Sequence, residues 1–99
     1  MKYVDFHELA EKELIGSRDY YDSLIFGLGK KFIFEIEHIV NRIRDNPLAF
    51  PVYFNNYRKA LLRKFPYSII YKEDGSKVLI LAVAHQKRKP KYYAGRIKE

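Results

Sequence analysis

The pattern of apolar and polar positions changes twice along the chain. Residues 3–6 alternate, Val4 apart, as a short edge strand does. Residues 8–26 and 30–44 repeat apolar positions every three or four residues, which lines these positions along one face of a helix. From residue 57 onward, apolar runs rich in aromatic and β-branched residues predict three consecutive strands, at 57–65, 67–72 and 78–85.

The two helices are each defined by one repeating face. Its positions are Ala10, Leu14, Ser17, Tyr21 and Leu24 in the first helix and Phe32, Ile36, Ile39, Val40 and Ile43 in the second. Ile15 and Phe34 lie off these faces, so their side chains are predicted to be exposed. Two interpretations stay open for this pair: ordinary surface exposure, or part of a protein-binding surface.

Short polar signals set the predicted ends of the helices. Asp5 or His7 is predicted to lie near the start of the first helix, and Asp5, followed three residues later by Glu8, has the spacing of a capping box with Asp5 as the cap. Gly27 and Gly29 end that helix, because glycine readily takes the left-handed conformation of a helix terminus. Pro47 ends the second helix, since the residue before proline avoids helical geometry.

These elements predict an α+β fold in a single domain over residues 1–99. It consists of an N-terminal strand, an antiparallel two-helix hairpin packed on a mostly antiparallel sheet of three to four strands, and a basic C-terminal tail. The Asp74-Gly75 step predicts a tight hairpin within the sheet. Residues 48–56 are predicted to be a linker whose aromatic side chains pack under the helices.

Strand alternation assigns side chains to the two faces of the sheet. Ala60 and Leu62 are predicted to face the helices, which leaves Lys59 and Arg63 on an open face. In the next strand Tyr67, Ile69 and Tyr71 share one face, and Ser68 and Ile70 the other. Ile69 and Tyr71 are predicted to face the helices, as Ala60 and Leu62 do. Lys59 and Arg63 are interpreted either as a solvated surface or as a binding surface.

Charge and composition narrow the possible functions. The net charge is +7, but residues 1–56 hold seven Lys/Arg and nine Asp/Glu, whereas residues 57–99 hold twelve and three. This asymmetry predicts a polyanion or an acidic protein as partner of the C-terminal half. The chain has no cysteine, which suits the cytoplasm, and no apolar run predicts a signal peptide or a membrane span.

Few residues offer catalytic chemistry. His85 follows the last predicted strand beside Lys87 and Arg88, and it is a candidate acid or base because histidine transfers protons near neutral pH. Tyr92 and Tyr93 are candidates to stack on bases or to anchor the tail. No histidine has a partner at metal-ligand spacing and no glycine-rich phosphate loop is present, so neither a metal nor a cofactor is predicted.

Three stretches together resemble the RelE/ParE superfamily of bacterial type II toxins. They are Gly27-Leu28-Gly29, the run from Arg58 through Phe65-Pro66-Tyr67, and Ala82-Val83-Ala84-His85-Gln86-Lys87-Arg88. The resemblance implies a cytoplasmic toxin neutralised by a cognate antitoxin. It also implies one of two targets, because RelE-like members cut mRNA in the ribosomal A site, whereas ParE-like members poison DNA gyrase.

The resemblance also implies roles for individual residues. Lys59, Lys87 or Arg88, and Tyr93 match positions that RelE-like enzymes use, whereas Leu61 and Ser68 replace two of their basic residues. Arg63 is predicted to substitute for the missing arginine. If the protein is a ribonuclease, the resemblance makes the catalytic candidates Lys59, Arg63, His85, Arg88 and Tyr93.

The prediction is a ParE-like gyrase inhibitor, with a ribosome-dependent endoribonuclease as the alternative and a non-toxic basic nucleic-acid-binding domain ranked third. Ile15 and Phe34 are predicted to bind the antitoxin. The residues predicted to bind the target are Arg58, Lys59, Arg63, Lys87, Arg88, Tyr92 and Tyr93.

Overall fold

The computed structural model describes residues 2–97, which form two helices on one face of a five-stranded sheet. The strands lie in the order β1-β5-β4-β3-β2, and all neighbours are antiparallel except β1 and β5. In chain order the elements are β1 (Tyr3–Phe6), α1 (Glu8–Leu24), α2 (Leu28–Asp45), β2 (Val52–Phe54), β3 (Tyr57–Leu61), β4 (Tyr67–Asp74), β5 (Lys77–His85) and a C-terminal 3₁₀ turn (Tyr92–Arg96).

This architecture confirms the predicted α+β class and the edge position of the first strand. No helix in the described range 2–97 is long and apolar enough to cross a membrane. The β4–β5 hairpin turns through Gly75 and Ser76, and Gly75 takes a left-handed φ of 62°. The predicted Asp-Gly hairpin is therefore confirmed.

The predicted cap of α1 is wrong. His7, not Asp5, is the N-cap, and its Nδ1 accepts a hydrogen bond of 3.0 Å from the Leu9 backbone N–H. Asp5 is unavailable because β1 continues to Phe6 and pairs Asp5 with Leu79. Pairing between residues far apart in the sequence thus overrode a local capping signal.

The two glycines of the helix hairpin have different roles. Gly27 precedes α2 with a left-handed φ of 85°, as a helix-terminating glycine does. Gly29 lies inside α2, where a Cβ atom would approach the Arg18 carbonyl oxygen to 2.4 Å. Its N–H donates a 2.8 Å hydrogen bond to the carboxylate of Asp22. Gly29 therefore permits close helix contact and does not end a helix, contrary to the prediction.

The core between the helices and the sheet contains the predicted side chains, except one. Ala60, Leu62 and the Tyr67-Ile69-Tyr71 face pack against the buried positions of α1 and α2. Leu24 was predicted to be buried but is 56% exposed. It is the last residue of α1 and adjoins the exposed Ile25 and Phe26, where the helix hairpin turns.

The linker contains a strand that the sequence did not reveal. β2 pairs with β3, so the sheet has five strands instead of three or four. Phe50 packs on the helix side, as predicted. Tyr53 and Phe54 pack instead against a second apolar cluster on the opposite face, with Tyr57 and Tyr93. Because the C-terminal turn covers part of this face, the sheet is less open than predicted.

Candidate functional site

A small hollow lies where the C-terminal turn meets the sheet face opposite the helices. It encloses about 100 Å³, and we call it the basic hollow. Its lining brings together residues from β2, β3, β4 and the segment after β5. The side chains relevant to function are Tyr53, Lys59, Ser68, Arg88, Lys89, Lys91, Tyr92 and Tyr93.

The cations of the basic hollow contact aromatic rings. The Lys59 Nζ atom lies 4.4 Å from the Tyr53 ring centroid, and Lys91 Nζ lies 5.5 Å from the same centroid. Arg88 Cζ lies 3.9 Å from the Tyr92 ring centroid. None of these three cations forms an ion pair with a carboxylate within residues 2–97. Their charge therefore remains available to an anionic ligand.

Ser68 lies in this lining and is only 3% exposed. It is the direct cross-strand partner of Leu61 on β3 and of Ala84 on β5. Directly paired residues project from the same face of a sheet. The two positions where this chain lacks a RelE-type basic residue, Leu61 and Ser68, are therefore neighbours on one face.

The two tyrosines of the turn are neutral phenols at neutral pH. Burial raises the pKa of Tyr93 to about 12, and the neighbouring Tyr53 phenol acts in the same direction. Burial and a hydrogen bond to Glu13 raise the pKa of Tyr92 above its usual range. Both side chains therefore offer aromatic surface and hydroxyl hydrogen bonds and are poor proton acceptors.

His85 borders the basic hollow, but its ring belongs to the other face of the sheet. It pairs directly with Tyr67, whose side chain is in the core beneath the helices, and the two ring centroids are 4.9 Å apart. Its Nδ1 accepts a 3.0 Å hydrogen bond from the Lys87 backbone N–H. His85 nevertheless lines the basic hollow together with Lys59, Arg88 and Tyr93, so of the five catalytic candidates only Arg63 lies outside it.

Arg63 does not share the open face with Lys59, contrary to the prediction. β3 ends at Leu61, and the backbone N–H groups of Arg63 and Lys64 both donate to the carboxylate of Glu35 on α2. These two hydrogen bonds hold residues 63 and 64 beside α2, so the chain no longer follows the direction of β3. Arg63 lines a different surface, beside α2.

Arg58 and Lys87 also lie outside the basic hollow. Arg58 is paired with Tyr71, on the helix side, and its Nη1 donates to the carbonyl oxygens of Phe50 at 2.6 Å and Leu48 at 3.3 Å. Arg58 thus stabilises the segment before β2. Lys87 is exposed in the segment after β5. Of the seven predicted target-binding residues, the structure gathers four in the basic hollow: Lys59, Arg88, Tyr92 and Tyr93.

The surface that contains Arg63 is a wide apolar groove along α2, which we call the α2 groove. It has a volume of about 1100 Å³. Phe34, 72% exposed, contributes to its wall, whereas Ile15 is exposed on α1. The groove is lined by Tyr21, Leu28, Phe34, His38, Ile39, Phe65 and Pro66, with Lys31, Glu35, Arg63 and Lys64 as its charged residues.

Glu13, which contacts the C-terminal turn, is a site residue that the sequence motifs did not single out. Its carboxylate binds Tyr92 and Arg96. A signal was present, because Glu13 lies three residues after Ala10 and one before Leu14, on the apolar face of α1. A carboxylate at such a position indicates a buried partner.

Solved structures with this fold define the class of protein. A structure described as the chromosomal ParDE TA system from P. aeruginosa matches with a TM-score of 0.63 and 20% identity over 86% of this chain and 96% of that one. An E. coli RelE mutant in complex with an antitoxin RelBc peptide matches with a TM-score of 0.64 and 19% identity over 98% and 95%. The fold is thus that of RelE/ParE toxins.

The family follows from the sequence comparison. A model described as the ParE toxin of the type II toxin–antitoxin system, parDE, matches residues 4–90. This chain belongs to that ParE toxin family, which confirms the superfamily indicated by the sequence motifs. Toxin ParE2 of Mycobacterium tuberculosis is 29% identical to it over 85 residues, which cover 85% of this chain and 81% of that protein.

Proposed function

We propose that residues 1–99 form one cytoplasmic toxin domain that inhibits growth by binding DNA gyrase and is neutralised by a cognate antitoxin. Membership of the ParE family supports the toxin role. The observation that carries the choice of gyrase is that two side chains predicted for RNA cleavage make their contacts away from Lys59. His85 packs against Tyr67 on the helix face, and Arg63 lies beside α2.

Cleavage of mRNA needs a proton acceptor and cations arranged around one phosphate. In the basic hollow, Lys59 and Arg88 provide charge, but the hydroxyls belong to Ser68 and to tyrosines that remain protonated. His85 is also in the lining, but its ring packs against Tyr67. Inhibition of gyrase needs only a complementary surface. A cationic, aromatic surface of this kind meets that requirement without acid–base chemistry.

The second candidate is a ribosome-dependent mRNA endoribonuclease. One observation favours it: Lys59, Arg88, Tyr92 and Tyr93 converge on a single hollow, and their cations are not paired with carboxylates among residues 2–97. Such a surface suits the phosphates and bases of RNA.

One preparation of the purified protein distinguishes the two targets. We expect it to inhibit the supercoiling activity of gyrase and to leave ribosome-bound mRNA intact in a primer-extension assay. His85→Ala should retain growth inhibition, as should the matched control His38→Ala, which changes an exposed histidine of α2. Cleavage of A-site mRNA that disappears in His85→Ala or Arg63→Ala would establish the endoribonuclease instead.

We further propose that an acidic amphipathic segment of the antitoxin binds the α2 groove. Its apolar side chains would contact Phe34 and Phe65, and its carboxylates would lie near Lys31, Arg63 and Lys64. The complex of E. coli RelE with an antitoxin peptide supports a protein partner for this fold. Ile15, exposed on α1, is proposed as a further contact.

Copurification with the product of the adjacent gene tests this partner. Phe34→Ala should weaken the complex by at least about tenfold, the loss typical of a central aromatic contact. Leu48→Ala is the matched control, because Leu48 is similarly exposed but lies outside the α2 groove. A toxin that remains monomeric beside that product would contradict the proposal.

A further inference from the structure

The edge of β5 is only half covered by β1. The pairing of the two strands ends at Phe6 and Ile80, and His7 adds one last backbone hydrogen bond of 2.8 Å to the Ile80 carbonyl. β5 continues for five more residues, to His85. Backbone groups along an uncovered edge need other partners.

Two side chains supply partners beyond the end of β1. Glu13 Oε1 accepts a 3.1 Å hydrogen bond from the Val83 N–H, and Arg96 Nη1 donates one of 3.1 Å to the Leu81 carbonyl. Glu13 comes from α1, whereas Arg96 ends the C-terminal turn. The two side chains thus extend the edge pairing that β1 leaves unfinished.

The carboxylate of Glu13 is the centre of this arrangement. Arg96 binds it with both terminal nitrogens, at 2.9 Å to Oε1 and 2.8 Å to Oε2, and the Tyr92 hydroxyl donates to Oε2. With the Val83 N–H, these donors occupy the four lone-pair sites of the carboxylate. The side chains of Arg96 and Glu13 are only 12% and 16% exposed, so water screens the ion pair weakly.

We propose that Glu13 is the positioning residue that holds the C-terminal turn on the sheet and thereby completes the basic hollow. The turn has only five residues, and it follows Lys91, whose φ is +59° and whose side chain provides no cap. Such a short segment needs tertiary contacts to keep one position. Glu13 fixes Tyr92, whose ring is in turn the surface on which Arg88 rests.

The turn has a second, apolar attachment at Tyr93. This side chain is buried against Phe54, with ring centroids 5.7 Å apart. Loss of the Glu13 carboxylate should therefore release Tyr92 and Arg96 without unfolding the sheet. That the basic hollow binds the target rests on the function proposed above, whereas the anchoring of the turn does not.

The test compares Glu13→Gln with Glu11→Gln, which changes an exposed carboxylate on the same helix. We expect chymotrypsin to cleave after Tyr92 at least about tenfold faster in Glu13→Gln, the factor that corresponds to one charged hydrogen bond. In an absorbance titration of Glu13→Gln, one tyrosine should also ionise at a lower pH than in the parent protein. Glu11→Gln should leave both measurements unchanged.

A second variant tests the anchoring role even if Glu13→Gln does not fold. Arg96→Gln changes a residue of the turn and leaves Glu13 in place. Far-UV circular dichroism should show an intact fold, and chymotrypsin should cleave this variant at the same faster rate. Cleavage at the parental rate in either folded variant, or an unchanged tyrosine titration in folded Glu13→Gln, would overturn the anchoring role.

A target assay separates the two proposals. If Arg96→Gln releases the turn and weakens inhibition of the target, both the anchoring role and the target role of the basic hollow are supported. If inhibition persists with the turn released, the anchoring stands and the target role of the basic hollow is overturned.

Discussion

At the scale of the residue, individual polar side chains decide the path of segments outside the strands. The Tyr71 hydroxyl donates to the Pro47 carbonyl, and Arg58 donates to carbonyls of the same segment. Glu35 accepts from two N–H groups just beyond β3. Each of these side chains satisfies backbone groups that no neighbouring strand reaches.

Tyr71→Phe should lower the free energy of unfolding by about 1–3 kcal/mol, because it leaves the Pro47 carbonyl without its buried donor. Urea denaturation at neutral pH measures the change. Tyr3→Phe, which removes the hydroxyl of an exposed ring in β1, serves as control and should have no effect. Equal stability of Tyr71→Phe and the parent would show that the hydrogen bond contributes nothing.

The same residue predicts a pH dependence at the alkaline end. Burial raises the pKa of Tyr71 from 10.0 to about 12. Since the raised pKa belongs to the folded state, its contribution, roughly 3 kcal/mol, is fully present below pH 10 and is lost as the pH rises toward 12. Chemical denaturation across this range should show a shallower decline in Tyr71→Phe, and an identical decline would contradict the assignment.

At the scale of the element, the helix hairpin combines a close contact with one amphipathic face. Gly29 lies against the backbone of α1, at the Arg18 carbonyl. α2 buries Ile36 and exposes Phe34, two residues apart. A change in side-chain volume should therefore alter stability at Gly29 and Ile36 but not at Phe34.

Gly29→Ala should destabilise the protein by about 1–3 kcal/mol, because the new methyl group would force the helices apart. Gly16→Ala is the matched comparison: a Cβ atom there meets nothing within 4 Å, and alanine in a helix is favoured over glycine by about 0.5–1 kcal/mol. Thermal melting should move in opposite directions for the two variants. A shift in the same direction would contradict the close-contact role of Gly29.

Ile36→Ala should lower the free energy of unfolding by about 2–5 kcal/mol through lost burial and a cavity. Phe34→Ala should change it by less than about 0.5 kcal/mol, since the ring is exposed. Urea midpoints of the two variants test this contrast. Similar losses in both would mean that α2 is oriented differently.

At the scale of the whole molecule, positive charge is concentrated in the second half of the chain. Residues 57–99 carry a balance of +9 (twelve Lys/Arg and three Asp/Glu), against −2 for residues 1–56 (seven and nine). The fold distributes these cations over both the basic hollow and the α2 groove. The two surfaces proposed to bind the antitoxin and the target are therefore both cationic.

Salt should slow association with the antitoxin much more than it speeds dissociation. We expect the association rate to fall at least about tenfold between about 50 and about 500 mM salt, because steering by surface charge is screened. Phe34→Ala should change mainly the dissociation rate and leave the salt dependence intact. Stopped-flow mixing measures both rates, and an association rate independent of salt would argue against charge steering.

Many features of the fold follow from patterns within short stretches of the sequence. The three- to four-residue repeat predicted Ile36 and Ile43 as core residues, and strand alternation predicted that Ala60 and Tyr71 face the helices. Such patterns are local, since helix and strand geometry fix which neighbours share a face. β2 escaped prediction because it is only three residues long and lies between Pro51 and two asparagines.

The sequence by itself thus determined the α+β fold, the core faces and the ParE family. Only the tertiary structure decided which side chains meet in a site. It placed Arg63 on a different surface from Lys59, packed the His85 ring against Tyr67 and joined Glu13 to Arg96, 83 residues away. The reason is physical: these placements depend on strand register and on side chains that bind distant backbone groups, and no local spacing encodes either.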